Sequence, residues 1–582
     1  MFSKVLIANR GEIATRIARS CKQLGITSVV IHSEADAHSM HVRVADQAVN
    51  LGDGPAADNY LNIQAVIKAA LDSGAQAIHP GYGFLSENAE FAEAVQAAGL
   101  AFIGPTAEAI RTMGGKIEAR KVAVDARVPL APGSDGPIDS ADDVEAFGEL
   151  HGYPVLVKAS AGGGGRGMRR INSLPEAREA FDSAVREATA AFGNGEVYLE
   201  RYLTRARHVE VQVFADKHGN TVYVGDRDCS VQRRHQKLIE ESPAPGLSNQ
   251  MRQAMGEASV RLAKHVGYVG AGTVEFMVED DKFYFLEMNT RIQVEHPVTE
   301  MVHQVDLISE QIRVAFGEPL SIEGNLVATG VAIEARINAE DVAGGLFLPA
   351  PGKIDNLVIP TGEGLRFDGG YASGDTVLPF YDSLVGKLIA YGPTREVAIE
   401  RLLGALRELK VDGIETTAPA SIKVLSHEDF RNVEFSTLWL ENSVSFEEEE
   451  EADRSNVEFG GRYFIIPTFS DYGTGGGGYG AAVAQEPGSA QAGSGRKAGG
   501  AKRAVVSDGS IKTPMQGTIV KINVEPGAEV SRGDVLFVLE AMKMENPLKA
   551  PFDGIVGDFE VQVGDSMAAK TVLTQVTAGV AA

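Results

Sequence analysis

The alternation of apolar and polar positions divides the chain before any motif does. Lys4-Val5-Leu6-Ile7-Ala8-Asn9 is a short apolar run, and Arg10-Gly11-Glu12-Ile13-Ala14-Thr15-Arg16-Ile17-Ala18 continues with apolar residues at helical spacing. Together they predict a strand, a glycine turn and an amphipathic helix. Ser28-Val29-Val30-Ile31-His32 predicts a second strand, and Ala77-Ile78-His79-Pro80-Gly81-Tyr82-Gly83 ends a third. Alternating strand and helix units imply an α/β, doubly wound sheet. Further on, Pro154-Val155-Leu156-Val157-Lys158-Ala159 is a short apolar strand, Tyr198-Leu199-Glu200-Arg201-Tyr202-Leu203 ends another, and Arg207-His208-Val209-Glu210-Val211-Gln212-Val213 alternates cleanly. Thr273-Val274-Glu275-Phe276-Met277-Val278 and Phe283-Tyr284-Phe285-Leu286-Glu287-Met288-Asn289 predict a hairpin around Asp280-Asp281. That hairpin sets Glu275 opposite Glu287, with Asn289 on the same face as Glu287.

The C-terminal stretch repeats itself. Without a gap, Gly527 matches Gly564, Val530 matches Met567 and Leu536 matches Leu573, while Gly517-Thr518-Ile519-Val520 and Gly554-Ile555-Val556 open the two halves. Two similar half-units of short strands predict a small all-β flattened barrel with pseudo-symmetry. Lys543, within Glu540-Ala541-Met542-Lys543-Met544, falls in the turn that joins the halves.

A chain of 582 residues is too long for one core, so three to five domains are expected. The formal charge of −25 argues against a nucleic-acid partner, which needs a basic footprint. The first residues lack the apolar core of a signal peptide, and no apolar run approaches membrane-spanning length. Two cysteines, Cys21 and Cys229, make neither a disulfide framework nor a zinc site, which fits the cytoplasm. Phe446-Glu447-Glu448-Glu449-Glu450-Glu451 opens an acidic stretch, and residues 470–503 are rich in Gly, Ala and Ser. Such sequence cannot bury a core; about 35 flexible residues span roughly 30 Å, enough for a tethered domain to visit more than one site.

Candidate chemistry gathers in the middle of the chain. The Pro154–Ala159 strand runs into Gly162-Gly163-Gly164-Gly165-Arg166-Gly167. A glycine run is most often a linker, as Gly473-Thr474-Gly475-Gly476-Gly477-Gly478 is in its low-complexity surroundings. Held by a strand, such a run lets backbone N–H groups close over phosphate oxygens, with Lys158 and Lys116 as point charges. No Gly-Lys-Ser/Thr follows, so it is not a Walker A loop, and the first turn lacks the spacing of a dinucleotide fingerprint. Cys229-Ser230-Val231-Gln232-Arg233-Arg234-His235-Gln236-Lys237 concentrates basic and amide groups in an acidic chain, which suits an anionic substrate better than a solvated face. Nothing beside Cys229 lowers a thiol pKa, so packing is its expected role. Glu275, Glu287 and Asn289 offer hard oxygen ligands for Mg²⁺ or Mn²⁺; an ion pair to a lysine is the bland alternative.

These residues carry a resemblance. The methionine-flanked Lys543 in a duplicated barrel closely resembles the biotinyl carrier domain, in which the ε-amine forms an amide with biotin; sister lipoyl domains set their lysine beside an acidic residue instead. Asn9-Arg10-Gly11-Glu12-Ile13-Ala14, His79-Pro80-Gly81-Tyr82-Gly83, the strand-held glycine loop, Met288-Asn289-Thr290-Arg291-Ile292-Gln293-Val294-Glu295-His296 and Glu334-Ala335-Arg336-Ile337-Asn338-Ala339-Glu340-Asp341 resemble, in order, a biotin carboxylase of the ATP-grasp superfamily. The resemblance implies an N-terminal α/β domain over 1–113, an α+β ATP-grasp domain over 114–328, a mixed C-terminal domain over 329–446, a linker over 447–505 and the carrier over 506–579. It implies that ATP, bicarbonate and biotin give N-carboxybiotin, ADP and phosphate through carboxyphosphate. Lys116, Lys158, His208, Gln232 and His235 would contact ATP, Glu200, Arg201, Tyr202 and Leu203 would form the adenine hinge, and Gly164 and Gly165 would belong to a lid. Glu275, Glu287 and Asn289 would hold the metals; Lys237, Arg291, Gln293 and Val294 would bind bicarbonate; Glu295 would be the general base and Arg336 would stabilise the biotin anion. With too little room between Leu440 and Lys512 for a carboxyltransferase, the chain resembles the α-subunit of an acyl-CoA carboxylase. Its implied partners are a separate carboxyltransferase β-subunit, a biotin protein ligase and further copies of itself. Alternatives are a pyruvate or urea acceptor, or a biotinylated scaffold with a dead ATP site.

Overall fold

The computed structural model describes residues 1–134, 136–160, 168–192, 194–322, 326–446, 454–459, 462–467, 509–513, 517–541, 544–567 and 571–578. It divides into two units, Met1–Ser445 and Phe446–Ala582.

In the first unit, β1 (Lys4–Ile7), β2 (Thr27–His32), β3 (Gln47–Asn50), β4 (Ala77–His79) and β5 (Ala101–Phe102) form a parallel sheet ordered β3-β2-β1-β4-β5. The order reverses between β1 and β4, so Asn9–Gly11 and Pro80–Gly83, which follow those strands, meet at a topological switch point. The predicted helix is α1 (Gly11–Gln23), and its Ile13, Ile17 and Cys21 enter one core with Val5 and Ile7. The doubly wound expectation holds.

A second, antiparallel sheet of β6 (Val155–Ala159), β7 (Met168–Ile171) and β8 (Val197–Arg201) runs in the order β7-β6-β8. Val144 and Phe147 of one helix and Phe181 and Ala184 of another close its apolar face.

The large sheet carries the chemistry. Its strands are β9 (Arg207–Ala215), β10 (Thr221–Arg233), β11 (Gln236–Ser242), β12 (Gly270–Glu279), β13 (Lys282–Asn289), β14 (Val331–Asn338), β15 (Leu365–Gly369) and β16 (Leu384–Gly392). The order is β13-β12-β9-β10-β11-β14-β16-β15, every pair antiparallel. β11 pairs with β14, so one continuous sheet joins residues expected in the ATP-grasp domain to residues expected in the C-terminal one. Along β9, Val209, Val211 and Val213 turn to a core that includes Met255 and Leu262 of the helix Asn249–His265. By the two-residue period of a strand, His208, Glu210 and Gln212 turn to the other side. They are buried as well, on the side of the sheet where Arg227 joins Gln212 to Thr299 of α2 (His296–His303). Among the described residues no helix is long and apolar enough to cross a membrane.

In the second unit, an antiparallel hairpin joins Arg454–Phe459 to Arg462–Pro467, within the stretch expected to be a linker. The C-terminal repeat forms two four-stranded sheets. One orders Ser510–Lys512, Val572–Ala578, Gly554–Val556 and Glu529–Val530; the other orders Met544–Lys549, Val535–Ala541, Gly517–Ile522 and Ser566–Met567. The shift that takes Gly527 to Gly564 carries each sheet onto the other, so the sequence repeat is a structural two-fold. Ile519, Leu536, Phe537, Leu539, Val556, Leu573 and Val576 fill the space between them.

Candidate active site

Strand register brings four charged residues into one row. Arg227 on β10 is opposite Glu210 on β9, Glu210 is opposite Glu275 on β12, and Glu275 is opposite Glu287 on β13. Opposed residues share a face, so like-charged neighbours must be neutralised. Lys237, at the start of β11, supplies most of that. Its ammonium lies 2.7 Å from Glu210 Oε2, 3.2 Å from Glu275 Oε1 and 2.6 Å from Glu295 Oε1. Arg227, fully buried, uses all five N–H groups: to Glu210 at 2.5 Å, Gln212 at 2.9 Å, Thr299 at 3.0 Å, Thr273 at 3.1 Å and Gln293 at 2.6 Å.

The turn between β13 and α2 supplies the remaining groups. Glu295 stands at the N-cap of α2, and its second oxygen accepts from Arg336 Nη2 at 3.1 Å. Arg336 on β14 also donates to Glu240 at 2.6 Å. Gln293 Nε2 donates to Glu275 at 2.9 Å, as does Asn289 Nδ2 at 2.8 Å. Arg291 donates to Asn289 Oδ1 at 2.9 Å and to Glu87 at 2.9 Å, and Glu87 also accepts from the Thr290 amide at 3.0 Å.

Electrostatics follow from burial and pairing. Burial alone would push Glu295 up; Lys237, Arg336 and Arg227 outweigh it and hold its carboxyl at about 2. Against the same burial, Arg227 and Lys237 hold Glu210 well below the usual carboxylate range, and Lys237 and His208 do so for Glu275. Burial disfavours a charged His208, yet Glu275, 3.3 Å away, raises it to about 9. Three carboxylates, Glu210, Glu275 and Glu295, are thus matched by Lys237, Arg227 and cationic His208. Burial dominates at Glu240 and leaves it at about 7 beside Arg336.

The family descriptions "Biotin carboxylase, N-terminal domain", "Carbamoyl-phosphate synthase L chain, ATP binding domain", "Biotin carboxylase C-terminal domain" and "Biotin-requiring enzyme" match residues 1–110, 115–323, 334–442 and 509–576. A biotin-dependent acyl-coenzyme A carboxylase alpha3 subunit of Mycobacterium leprae is 44% identical over 598 residues, covering 99% of this chain and 98% of the relative. The chain belongs to the biotin carboxylase family. It is a biotin carboxylase fused to a biotinyl carrier domain. A propionyl-CoA carboxylase alpha chain of Ruegeria pomeroyi is 38% identical, covering 99% of this chain and all of the relative. Among solved structures, the biotin carboxylase domain dimer of Hydrogenobacter thermophilus 2-oxoglutarate carboxylase, with MgADP, ADP and bicarbonate, is 45% identical at a TM-score of 0.70. It covers 76% of this chain and 97% of that one.

In this biotin carboxylase, Lys237, His208, Gln293, Glu295, Arg291, Arg336, Glu275 and Asn289 come together. Val294 joins them through the turn it shares with Glu295, and Glu287 through its place opposite Glu275. Gln232 is buried opposite Lys237, and exposed His235 sits in the β10–β11 turn, where Arg234 and His235 both take positive φ. The ion pair weighed against a metal is present, since Lys237 neutralises Glu275, yet Glu287 beside it is exposed. Lys158 pairs with Glu200 on the neighbouring strand β8, so two expected nucleotide residues meet. The Leu199 carbonyl and Arg201 amide bond to Ser134 and Pro132, and the Tyr202 amide bonds to the Pro154 carbonyl, which fixes the strand end leading to Leu203. Lys116 opens the helix Lys116–Asp125; its side chain, Gly164, Gly165 and Lys543 lie outside the described residues. The strands flanking Lys543 pair as far as Ala541 with Met544. Cys229 is buried, and burial pushes its thiol well above the ordinary value, in keeping with packing.

Glu210, Arg227, Glu240 and Glu87 were not singled out from the sequence. The signal for Glu210 lay in β9 itself, where His208, Glu210 and Gln212 alternate with valines.

Proposed function

We propose that this chain uses ATP and bicarbonate to carboxylate biotin held on its own Lys543, and passes the carboxyl group to a separate carboxyltransferase β-subunit of an acyl-CoA carboxylase. The observation that carries the reading is the Lys237 ammonium shared by Glu210, Glu275 and Glu295, with Arg336 on the far side of Glu295. A carboxylate held at about 2 is a poor base at neutral pH. Bicarbonate entering beside Lys237 and Arg291 competes for the cations that depress Glu295, and so raises its basicity where the bicarbonate proton must be taken. Arg291, Gln293 and the Val294 backbone orient the anion for attack on the γ-phosphate. Arg336 faces the ureido side.

Glu275, Glu287 and Asn289 fit a magnesium or manganese ion: two carboxylates in register on adjacent strands, with an amide two residues along. Such an ion, held jointly with the ATP phosphates, supplies charge neutralisation, and biotin supplies the nitrogen that accepts the carboxyl group. Lys116, Lys158, His208, Gln232, His235 and the lid glycines Gly164 and Gly165 complete the nucleotide site, with Glu200 to Leu203 as the adenine hinge. The domain limits inferred from the sequence, a cytoplasmic setting, self-association through the carboxylase part and modification by a biotin protein ligase belong to the same reading.

Two kinds of relative favour different acceptors. The Mycobacterium leprae and Ruegeria pomeroyi proteins are acyl-CoA carboxylase chains that match over their whole length, whereas the Hydrogenobacter thermophilus domain serves 2-oxoglutarate. Whole-length similarity favours acetyl- or propionyl-CoA. The purified holo-protein should hydrolyse ATP only with bicarbonate and should carboxylate free biotin; turnover indifferent to bicarbonate would refute the assignment. Co-purification from the native host, followed by an acyl-CoA and 2-oxo acid panel with the captured subunit, tests the acceptor.

A further inference from the structure

Two N-terminal motifs were given no task in that reading of the reaction, yet hydrogen bonds and an ion pair tie them to its centre. Asn9 Nδ2 donates to the carbonyls of Pro80 at 2.7 Å and Tyr82 at 2.8 Å. Gly81, at φ +64°, lies so close that a Cβ would come 3.0 Å from Asn9 Nδ2 and 3.1 Å from Ile13 Cγ1. The Tyr82 hydroxyl donates to Glu12 Oε2, and Glu12 Oε1 lies 3.2 Å from the ammonium of Lys387. Lys387 comes from β16, is fully buried, and donates at 2.7 Å to the carbonyl oxygen of Val294. The C-terminal residues approach α1 closely here: a Cβ on Gly370 would meet the Glu12 nitrogen at 2.5 Å. Three parts of the carboxylase unit therefore converge on one nitrogen atom.

A buried ammonium is costly unless paired, and Glu12 alone would neutralise it. The bond to Val294 does something further, because that carbonyl belongs to the peptide joining Val294 to Glu295. We propose that Lys387, backed by Glu12, is a positioning residue for the bicarbonate turn. It clamps the Val294–Glu295 peptide plane, which carries the Val294 carbonyl and the Glu295 N–H, and so sets the placement of Val294 and the direction in which the Glu295 carboxylate leaves the turn. The inference rests on the reaction proposed above. It gives the Asn9–Ala14 and His79–Gly83 motifs a role through Glu12 and Tyr82: they anchor the counter-charge.

The test separates position from stability. Lys387→Met strands a buried Glu12 charge and should lower the melting temperature. Adding Glu12→Gln removes that charge and should restore the melting temperature, while the Val294 carbonyl stays without its donor. In bicarbonate-dependent ATP hydrolysis with free biotin, the double variant should keep a bicarbonate KM raised about ten-fold or more, with its ATP KM within about two-fold of wild type; a misplacement of one ångström costs on the order of a hundred-fold. A double variant whose bicarbonate KM returns to the wild-type value overturns the inference and makes Lys387 a purely structural ion-pair partner. A wild-type protein whose ATP turnover ignores bicarbonate overturns the functional reading itself, and the two failures are distinct.

Discussion

Arg227 is the residue whose replacement most directly tests how the site is built. Its guanidinium is fully buried and spends every N–H on Glu210, Gln212, Thr273, Gln293 and Thr299. In Arg227→Met the Glu210 carboxylate keeps Lys237 on one oxygen but loses its partner on the other. Breaking a buried ion pair by removing one member costs about 3–5 kcal/mol. Four neutral acceptors also lose a donor at about 1 kcal/mol each, but relaxation recovers part of this, so about 4 kcal/mol is a fair expectation. At about 2–4 °C per kcal/mol for a domain of this size, the melting temperature should fall by roughly 8–16 °C. Arg227→Lys keeps the charge but has three donors at one point, so it cannot span from Glu210 to Gln293. It should melt between the other two, with bicarbonate-dependent turnover still reduced because Gln293 is unfastened. Calorimetry with ATPase kinetics reads both quantities. An Arg227→Met protein that melts within about 2 °C of wild type with normal turnover would refute the hub.

Three further outcomes are expected. Glu295→Gln should reduce bicarbonate-dependent ATP hydrolysis by about 10²–10⁴-fold while leaving nucleotide affinity near wild type by calorimetric titration. Lys543→Arg should abolish streptavidin binding on blots and spare carboxylation of free biotin; a residual streptavidin signal would mean another lysine is modified. Burial holds His79 at about 3 and both His41 and His303 at about 4, so each is neutral in the folded chain. Their stabilisation is complete above about pH 6.5 and lost as pH falls toward 4, at about 2 kcal/mol each by pH 5. His79, whose Nδ1 accepts from the Gly81 amide at 3.1 Å, is the one to replace. Melting curves of His79→Gln should decline less steeply between pH 6.5 and 4.5 than those of wild type.

What the sequence disclosed depended on how far each feature reached along the chain. The Glu275–Glu287 register was legible because a turn at Asp280-Asp281 and a two-residue period are local, and the barrel repeat was legible because its halves are contiguous. The four-residue row was not, since it needs β9 to lie between β10 and β12, an order set by packing over long separations. Glu210 carried a trace in the run His208, Glu210, Gln212 alternating with the valines of β9. Arg227, within Gly225-Asp226-Arg227-Asp228, carried none. Lys387 is a single charge in the apolar run Leu384-Val385-Gly386-Lys387-Leu388, a pattern that marks a buried and therefore partnered group. Gly11 was read as a tight turn, and its φ of +64° agrees, but the next residue, Glu12, reaches a strand hundreds of residues away.

The charge balance of the site bears on why so many ionised groups are buried together. Bicarbonate and the ATP phosphates are anions, and a pocket of bare cations would hold its lysine and arginine apart by mutual repulsion. Here Glu210, Glu275 and Glu295 occupy those cations first, and folding supplies the free energy that desolvates them. In the proposed reaction the entering ions exchange partners with groups already in place. Bicarbonate would compete with Glu295 for Lys237, and Glu295 would gain basicity as its cation is drawn off; Glu275, with Glu287 and Asn289, would hold a divalent ion that supplies charge neutralisation. Activation of the proposed base would thereby be tied to the arrival of the substrate it must deprotonate, which is the property a carboxylase needs if ATP is not to be hydrolysed in its absence.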